Sequence, residues 1–303
     1  MKKAGSSLLR STMIGCLALA GTVSGSAWAT EGGNSHYSLG LNTIRDGVVP
    51  GEGDYFYNYN VFYEASHTTD SNGNNVKIPN FGTHVTVDAA KFLHVWDFQL
   101  LGANVGSYVA LPFYNIDIKT PRFHTTETNF GDAAFAPLTL GWREGPMAYY
   151  FEFASYLPTG DYSKTNKVNA GQNTVTNSFQ LGTTWFIDDK SEIDLRGWYG
   201  YNYTDPATHY QSGQETNLDW GAYREVADHF LIGATGYFYE QLTDDTKNGI
   251  RYLNGNKGQV FAAGPSLLYT YRGGGISAKW QHEFDAQNRT EGDRYWIQFS
   301  LTL

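Results

Sequence analysis

The spacing of its turns constrains this chain more than any motif does. From Asp54 onward it breaks into twelve segments rich in Tyr, Phe, Trp, Val and Thr, with alternating polarity. They run Asp54–Ser66, Phe81–Val95, Leu100–Ile118, Phe130–Trp142, Met147–Pro158, Ser178–Ile187, Glu192–Thr204, Gln214–Glu225, Phe230–Gln241, Gln259–Tyr271, Ile276–Asp285 and Asp293–Leu303. Tight connections (Trp96–Gln99, Arg143–Pro146, Asp188–Ser191, Val226–His229, Arg272–Gly275) take turns with longer polar ones (His67–Asn80, Lys119–Asn129, Thr159–Asn177, Asp205–Gly213, Leu242–Gly258, Ala286–Gly292). A soluble sandwich has no reason to make every second connection short. A transmembrane barrel does, because its two rims lie in different compartments. The expected fold is therefore all-β: a transmembrane antiparallel up-and-down β-barrel of about 12 strands, with short periplasmic turns and longer extracellular loops.

The strand faces agree. In the last segment Tyr295, Ile297, Phe299, Leu301 and Leu303 share one face, and Arg294, Trp296, Gln298, Ser300 and Thr302 the other. Charges recur mid-strand on the polar face, as a polar lumen requires and a sandwich core forbids. Composition removes the alternatives. Mean hydropathy is −0.42, and no apolar run is long enough for a membrane helix past the N-terminus. A net charge of −9 excludes a nucleic-acid partner.

Residues 1–29 read as a secretory signal: Lys2, Lys3 and Arg10, an apolar stretch from Met13 to Val23, then Ala27-Trp28-Ala29. The single cysteine, Cys16, falls inside it. Its removal leaves 18 bases against 30 acids. Residues 30–53 could form a short strand, a periplasmic arm or a segment folded into the lumen.

Alternation assigns a lumen set as the path of a solute: Asn58, Asn60, Glu64, His84, Asp88, Glu152, Asp194, Arg196, Trp198, Asp219, Lys279, Glu283, Arg294 and Trp296, with Asn104, Tyr108, Asn202, Asn217, Tyr223, Tyr237, Gln281 and Gln298 beside them. Catalytic signatures are missing. There is no Gly-x-Ser-x-Gly and no His-Glu-x-x-His. His282 is the best placed histidine for a lipid hydrolase, but its strand neighbours offer no matching pair. Asp70–Asn74 and Asp244-Asp245 read as polar turns rather than metal loops. No cofactor and no metal are expected, and the partners are outer-membrane lipid, a small solute and the barrel-assembly machinery, met by a monomer.

Local patterns add a resemblance. Pro50-Gly51, Asn129-Phe130-Gly131-Asp132, Leu157-Pro158-Thr159-Gly160-Asp161-Tyr162 and Leu100-Leu101-Gly102 through Leu111-Pro112 are similar to motifs of the MetA-pathway phenol-degradation family of outer-membrane proteins. The C-terminal strand also resembles the assembly signal of outer-membrane barrels, with Leu303 where that pattern usually ends in Phe. The resemblance implies passive uptake of small molecules, aromatic or hydrophobic catabolic substrates, across the outer membrane of a Gram-negative bacterium. A non-conducting structural barrel is the competing reading, and an outer-membrane hydrolase the third.

Overall fold

The computed structural model describes residues 35–303. The signal-sequence reading of residues 1–29, Cys16 included, lies outside the described residues. Twelve long strands close into one antiparallel barrel: β1 (Gly53–Thr69), β2 (Gly82–Leu100), β3 (Ala103–Lys119), β4 (Ala133–Glu144), β5 (Met147–Leu157), β6 (Thr176–Asp188), β7 (Ser191–Asn202), β8 (Glu215–Ala227), β9 (Phe230–Gln241), β10 (Gln259–Tyr271), β11 (Gly274–Gln287) and β12 (Thr290–Thr302). Each pairs with its neighbours in sequence, and β12 returns to β1 in register from Tyr55↔Thr302 to Thr68↔Thr290. Closure leaves no unpaired edge, the condition for a sheet in lipid.

One rim carries tight turns. The β2–β3 turn sits at Leu101 and Gly102, both with positive φ, rather than at Trp96–Gln99. Beta-strand β2 runs on to Leu100 across a register shift between Val95 and Gln99, and such bulges cannot be seen in an alternation pattern. The Ala286–Gly292 connection is also shorter than expected, since only Asn288 and Arg289 separate β11 from β12. At the other rim His124–Phe130 pairs with the end of β3, and Tyr210–Gln211, Thr246–Lys247 and Ile250–Arg251 make a separate small sheet.

The outer face defines a membrane band. A row of polar residues crosses five adjacent strands in register: His282↔Asp293↔Glu64↔His84↔Asp117. Each imidazole in it has a carboxylate neighbour, at 2.9 Å for His282–Asp293 and 3.9 Å for His84–Glu64. Toward the short-turn rim most outward positions turn apolar, as in Tyr295, Ile297 and Leu301 on β12 and Phe92 and Trp96 on β2, with Asn58, Asn60 and Asp88 as a polar group among them. The ten residues from Asp293 to Thr302 match the height of an apolar band of about 25 Å on a tilted strand.

Candidate functional site

The lumen is occupied by the chain itself. The residues before β1 enter near the long-loop rim at His36 and descend to Pro50 at the short-turn rim. They are irregular, so their backbone polar groups have no ladder to join and must find partners elsewhere. Lumen side chains supply them. Asp219 accepts from Tyr37 Oη at 2.6 Å, Gly40 N at 3.0 Å and Asn42 N at 2.9 Å. Lys279 Nζ donates to Gly40 O at 2.5 Å, Leu41 O at 3.0 Å and Thr43 Oγ1 at 2.9 Å. Arg196 donates to Asp46 O at 2.6 Å and lies over the Tyr150 ring, 3.7 Å from its centroid. Asp194 accepts from Asp46 N and from Thr184 Oγ1, and Glu192 pairs with Arg45 at 3.2 Å. Trp198 stacks on Tyr37 with centroids 5.0 Å apart.

The wall is shaped for this segment as well as charged for it. Inward glycines on β4, β6 and β8 stand where its backbone passes. A Cβ on Gly221 would lie 2.1 Å from Thr43 O, one on Gly182 2.5 Å from Asp46 O, and one on Gly141 2.4 Å from Val49 Cβ. Only glycine allows so close an approach.

Glu283, Arg294 and Glu152 are tied within the wall. Glu283 accepts from Tyr63 Oη at 2.9 Å, Tyr237 Oη at 2.5 Å, Gly292 N at 2.9 Å and Arg294 Nε at 3.3 Å. Glu152 accepts from Tyr108 Oη at 2.8 Å, from Gln180 Nε2 at 2.6 Å and from Tyr150 Oη. Trp296 Nε1 donates to Gln281 Oε1 at 3.0 Å. Thus Glu152, Asp194, Arg196, Trp198, Asp219, Lys279, Glu283, Arg294 and Trp296 all face inward and are buried or nearly so.

Five of the expected lumen residues point the other way. Asn58, Asn60 and Glu64 on β1, and His84 and Asp88 on β2, lie on the outer face. Asn58 Nδ2 donates to Asp88 Oδ1 at 2.6 Å, and Glu64 belongs to the boundary row with His84. Tyr57, Tyr59, Val61 and Tyr63 face inward instead, Val61 packing with Trp296 and Tyr63 reaching Glu283. The error has a physical cause. Polarity marks the lumen only where the opposite face is plainly apolar; tyrosine is both apolar body and polar tip, so a tyrosine face can line a polar interior.

Sequence reasoning also passed over His36 and Asp132. His36 Nε2 lies 2.9 Å from Asp132 Oδ2, its Nδ1 lies 2.7 Å from Thr176 Oγ1, and its ring stacks on Tyr156. Asp132 also accepts from Gly160 N at 2.9 Å and Gln172 N at 2.7 Å. The Asn129–Asp132 and Leu157–Tyr162 motifs therefore meet in space, and their aspartate fastens both the top of the lumen segment and the inward fold of the β5–β6 loop. The motif Gly-Asp was a sufficient signal for the residue, though not for its partner.

Elsewhere Asp70 caps its own turn, accepting from Asn72 N and Asn74 N, and these bonds hold its carboxyl below the usual carboxylate range. Among the described residues no group of three or more His, Cys, Asp or Glu is arranged to hold a metal ion. On the outer face His282 has a partner from the next strand, Asp293, whose Oδ1 also accepts from Trp280 Nε1 at 2.7 Å.

Comparisons with known proteins fit this architecture. The barrel is similar to the crystal structure of an outer membrane channel from Pseudomonas putida F1, with a TM-score of 0.76 at 12% identity over 88% of this chain and 100% of that one. It is also similar to the β-domain of the Bordetella autotransporter Brka, with a TM-score of 0.53 at 9% identity over 84% of this chain and 100% of that one. At these identities the likeness is one of fold. A search of curated protein sequences finds no match. The family model described as MetA-pathway of phenol degradation matches residues 65–299, which is most of the barrel. By that match the chain belongs to the MetA-pathway phenol-degradation family.

Proposed function

We propose that this protein is a channel in the outer membrane of a Gram-negative bacterium, admitting small molecules by diffusion when its lumen segment moves. One observation carries the reading. The segment is held by hydrogen bonds to side chains and sits against a wall cut away to receive it, with no strand pairing to the barrel. A group held so can be displaced without opening the barrel itself. The apolar outer band and the structural likeness to an outer membrane channel support the location and the class. In the open state the path runs past Asp194, Arg196, Asp219 and Lys279, which then face solute instead of backbone. Aromatic or hydrophobic catabolic compounds are the substrates the family description suggests. The barrel acts as a monomer, its partners being lipid, solute and the assembly machinery that reads the C-terminal strand.

The filled lumen favours a second reading, a non-conducting structural barrel. Gly221→Val separates the two. Its Cβ would stand 2.1 Å from Thr43 O and 2.7 Å from the Tyr223 ring, so it displaces the segment from inside the lumen without altering a charged residue. For a channel, single-channel recordings in planar bilayers show longer and more frequent openings than wild type. A variant that folds, as judged by heat-modifiable migration, yet stays as silent as wild type establishes the structural reading.

A further inference from the structure

Below the lumen segment, at the short-turn rim, an open vestibule of about 270 Å³ remains between residues 42–50 and the barrel wall. Its charge is unbalanced. Arg45, Lys91 and Arg196 line it against one carboxylate, Asp46. Arg45 is committed to Glu192, and Arg196 to the backbone of the segment. Lys91 is committed to neither an acid nor a carbonyl among the described residues. Its ammonium rests on aromatic faces, 3.9 Å from the Tyr108 centroid and 5.5 Å from that of Tyr57. Glu152, the acid behind Tyr108, already accepts from Tyr108, Tyr150 and Gln180. Beside Lys91, Tyr57 and Tyr59 stand parallel, 4° between planes and centroids 6.2 Å apart, with Leu93 and Leu268 also on the lining.

We propose that this vestibule binds a small carboxylate anion carrying one ring, with its carboxylate on Lys91 and its ring against Tyr57 and Tyr59. A cation held over aromatic rings keeps its charge in a low-dielectric pocket while leaving donors free for an anion. Flat phenol rings beside it supply the apolar contact. The size suits a single-ring acid, at the lower end of small-molecule pockets. In biological terms the proposal rests on the channel reading, since the vestibule then marks where solute leaves or enters on the periplasmic side.

The test is equilibrium binding to the full-length protein in detergent micelles, by calorimetry, with benzoate and its neutral isostere benzamide as probes. Wild type should bind benzoate about ten-fold more tightly than benzamide, the order of one charge-assisted hydrogen bond. Lys91→Met should bring the two to equality, and Lys91→Arg should keep the preference. Tyr57→Leu should weaken both probes together. Equal binding of the two probes by wild type, or a preference that survives in Lys91→Met, overturns the proposal. Should Lys91→Met fail to fold, the wild-type ratio together with Lys91→Gln decides. Binding without conductance keeps this site and removes the channel, whereas conductance without binding does the reverse.

Discussion

A lumen charge in this barrel is defined by what it holds. Lys279 has three acceptors on the segment and, among the described residues, no carboxylate within ion-pair distance. Lys279→Met therefore leaves Gly40 O without a donor, leaves Leu41 O to Gln298 Nε2 alone, and gives Asp219 less compensation. The expected cost is about 1–3 kcal/mol for each buried acceptor left unmet, read as a lower temperature for the heat-modifiable gel shift. Asp88 makes the opposite case. It is an exposed acid on the outer face, bonded to Asn58. Asp88→Leu should fold at least as stably as wild type, because a carboxylate facing lipid is unfavourable, and its conductance should be unchanged. A loss of conductance in Asp88→Leu with folding intact would return that residue to the lumen. Asp88 is one of five polar residues of β1 and β2 that polarity alone places inward, because the tyrosines alternating with them pass for an outward face; Lys279 lies in the lumen as its strand pattern indicates. The inward residues of β7, β8 and β11 were legible, since there charged residues alternate with plainly apolar ones and leave no ambiguity.

At the scale of elements, the long connections do more than join strands. Asp245, in the β9–β10 loop, accepts from Gly213 N at 2.8 Å, Gln241 Nε2 at 2.8 Å, Asn256 Nδ2 at 3.1 Å and Tyr210 Oη, so one carboxylate fixes two loops. Asp245→Ala takes an acceptor from four donors, of which Gln241 Nε2 keeps Thr243 O, and each one left unpaired and buried costs about 1–3 kcal/mol. Limited proteolysis should then cut residues 242–258 at least several-fold faster while the barrel keeps its heat-modifiable migration. Burial pushes this carboxyl from the ordinary 3.8 up to about 7, against the pull of its donors. A folded value above the unfolded one means stability that is present in acid and lost as pH rises toward and through 7. Nicking of this loop, normalised to an unstructured peptide, should accordingly be slower at pH 5 than at pH 8, and the reverse order would refute the assignment. None of this could be read from Asp244-Asp245, which in sequence is only a polar turn. All twelve strands were legible, with bounds displaced by up to five residues where a bulge or a shorter turn intervenes, because their period and the breaks between them are local properties.

At the scale of the whole molecule, the two rims give the topology its test. A tag inserted at Asn166, in the exposed outer part of the β5–β6 loop, should be labelled on intact cells, and one at Gly273 only after the outer membrane is breached. Labelling of both on intact cells, or the opposite pattern, would invert or refute the orientation. The sequence by itself determined the class of fold, the number of strands and which rim bears the short turns. Those follow from a period of two and from where the chain breaks, and both are set by residues close together along the chain. It did not determine the course of residues 35–52, the purpose of the lumen charges or the meeting of Asp132 with His36. Each of these depends on groups as far apart as Gly40 and Lys279, or Tyr37 and Asp219. Only barrel closure brings such groups together, and only then does the unmet hydrogen bonding of an irregular segment decide which charges it must lie against.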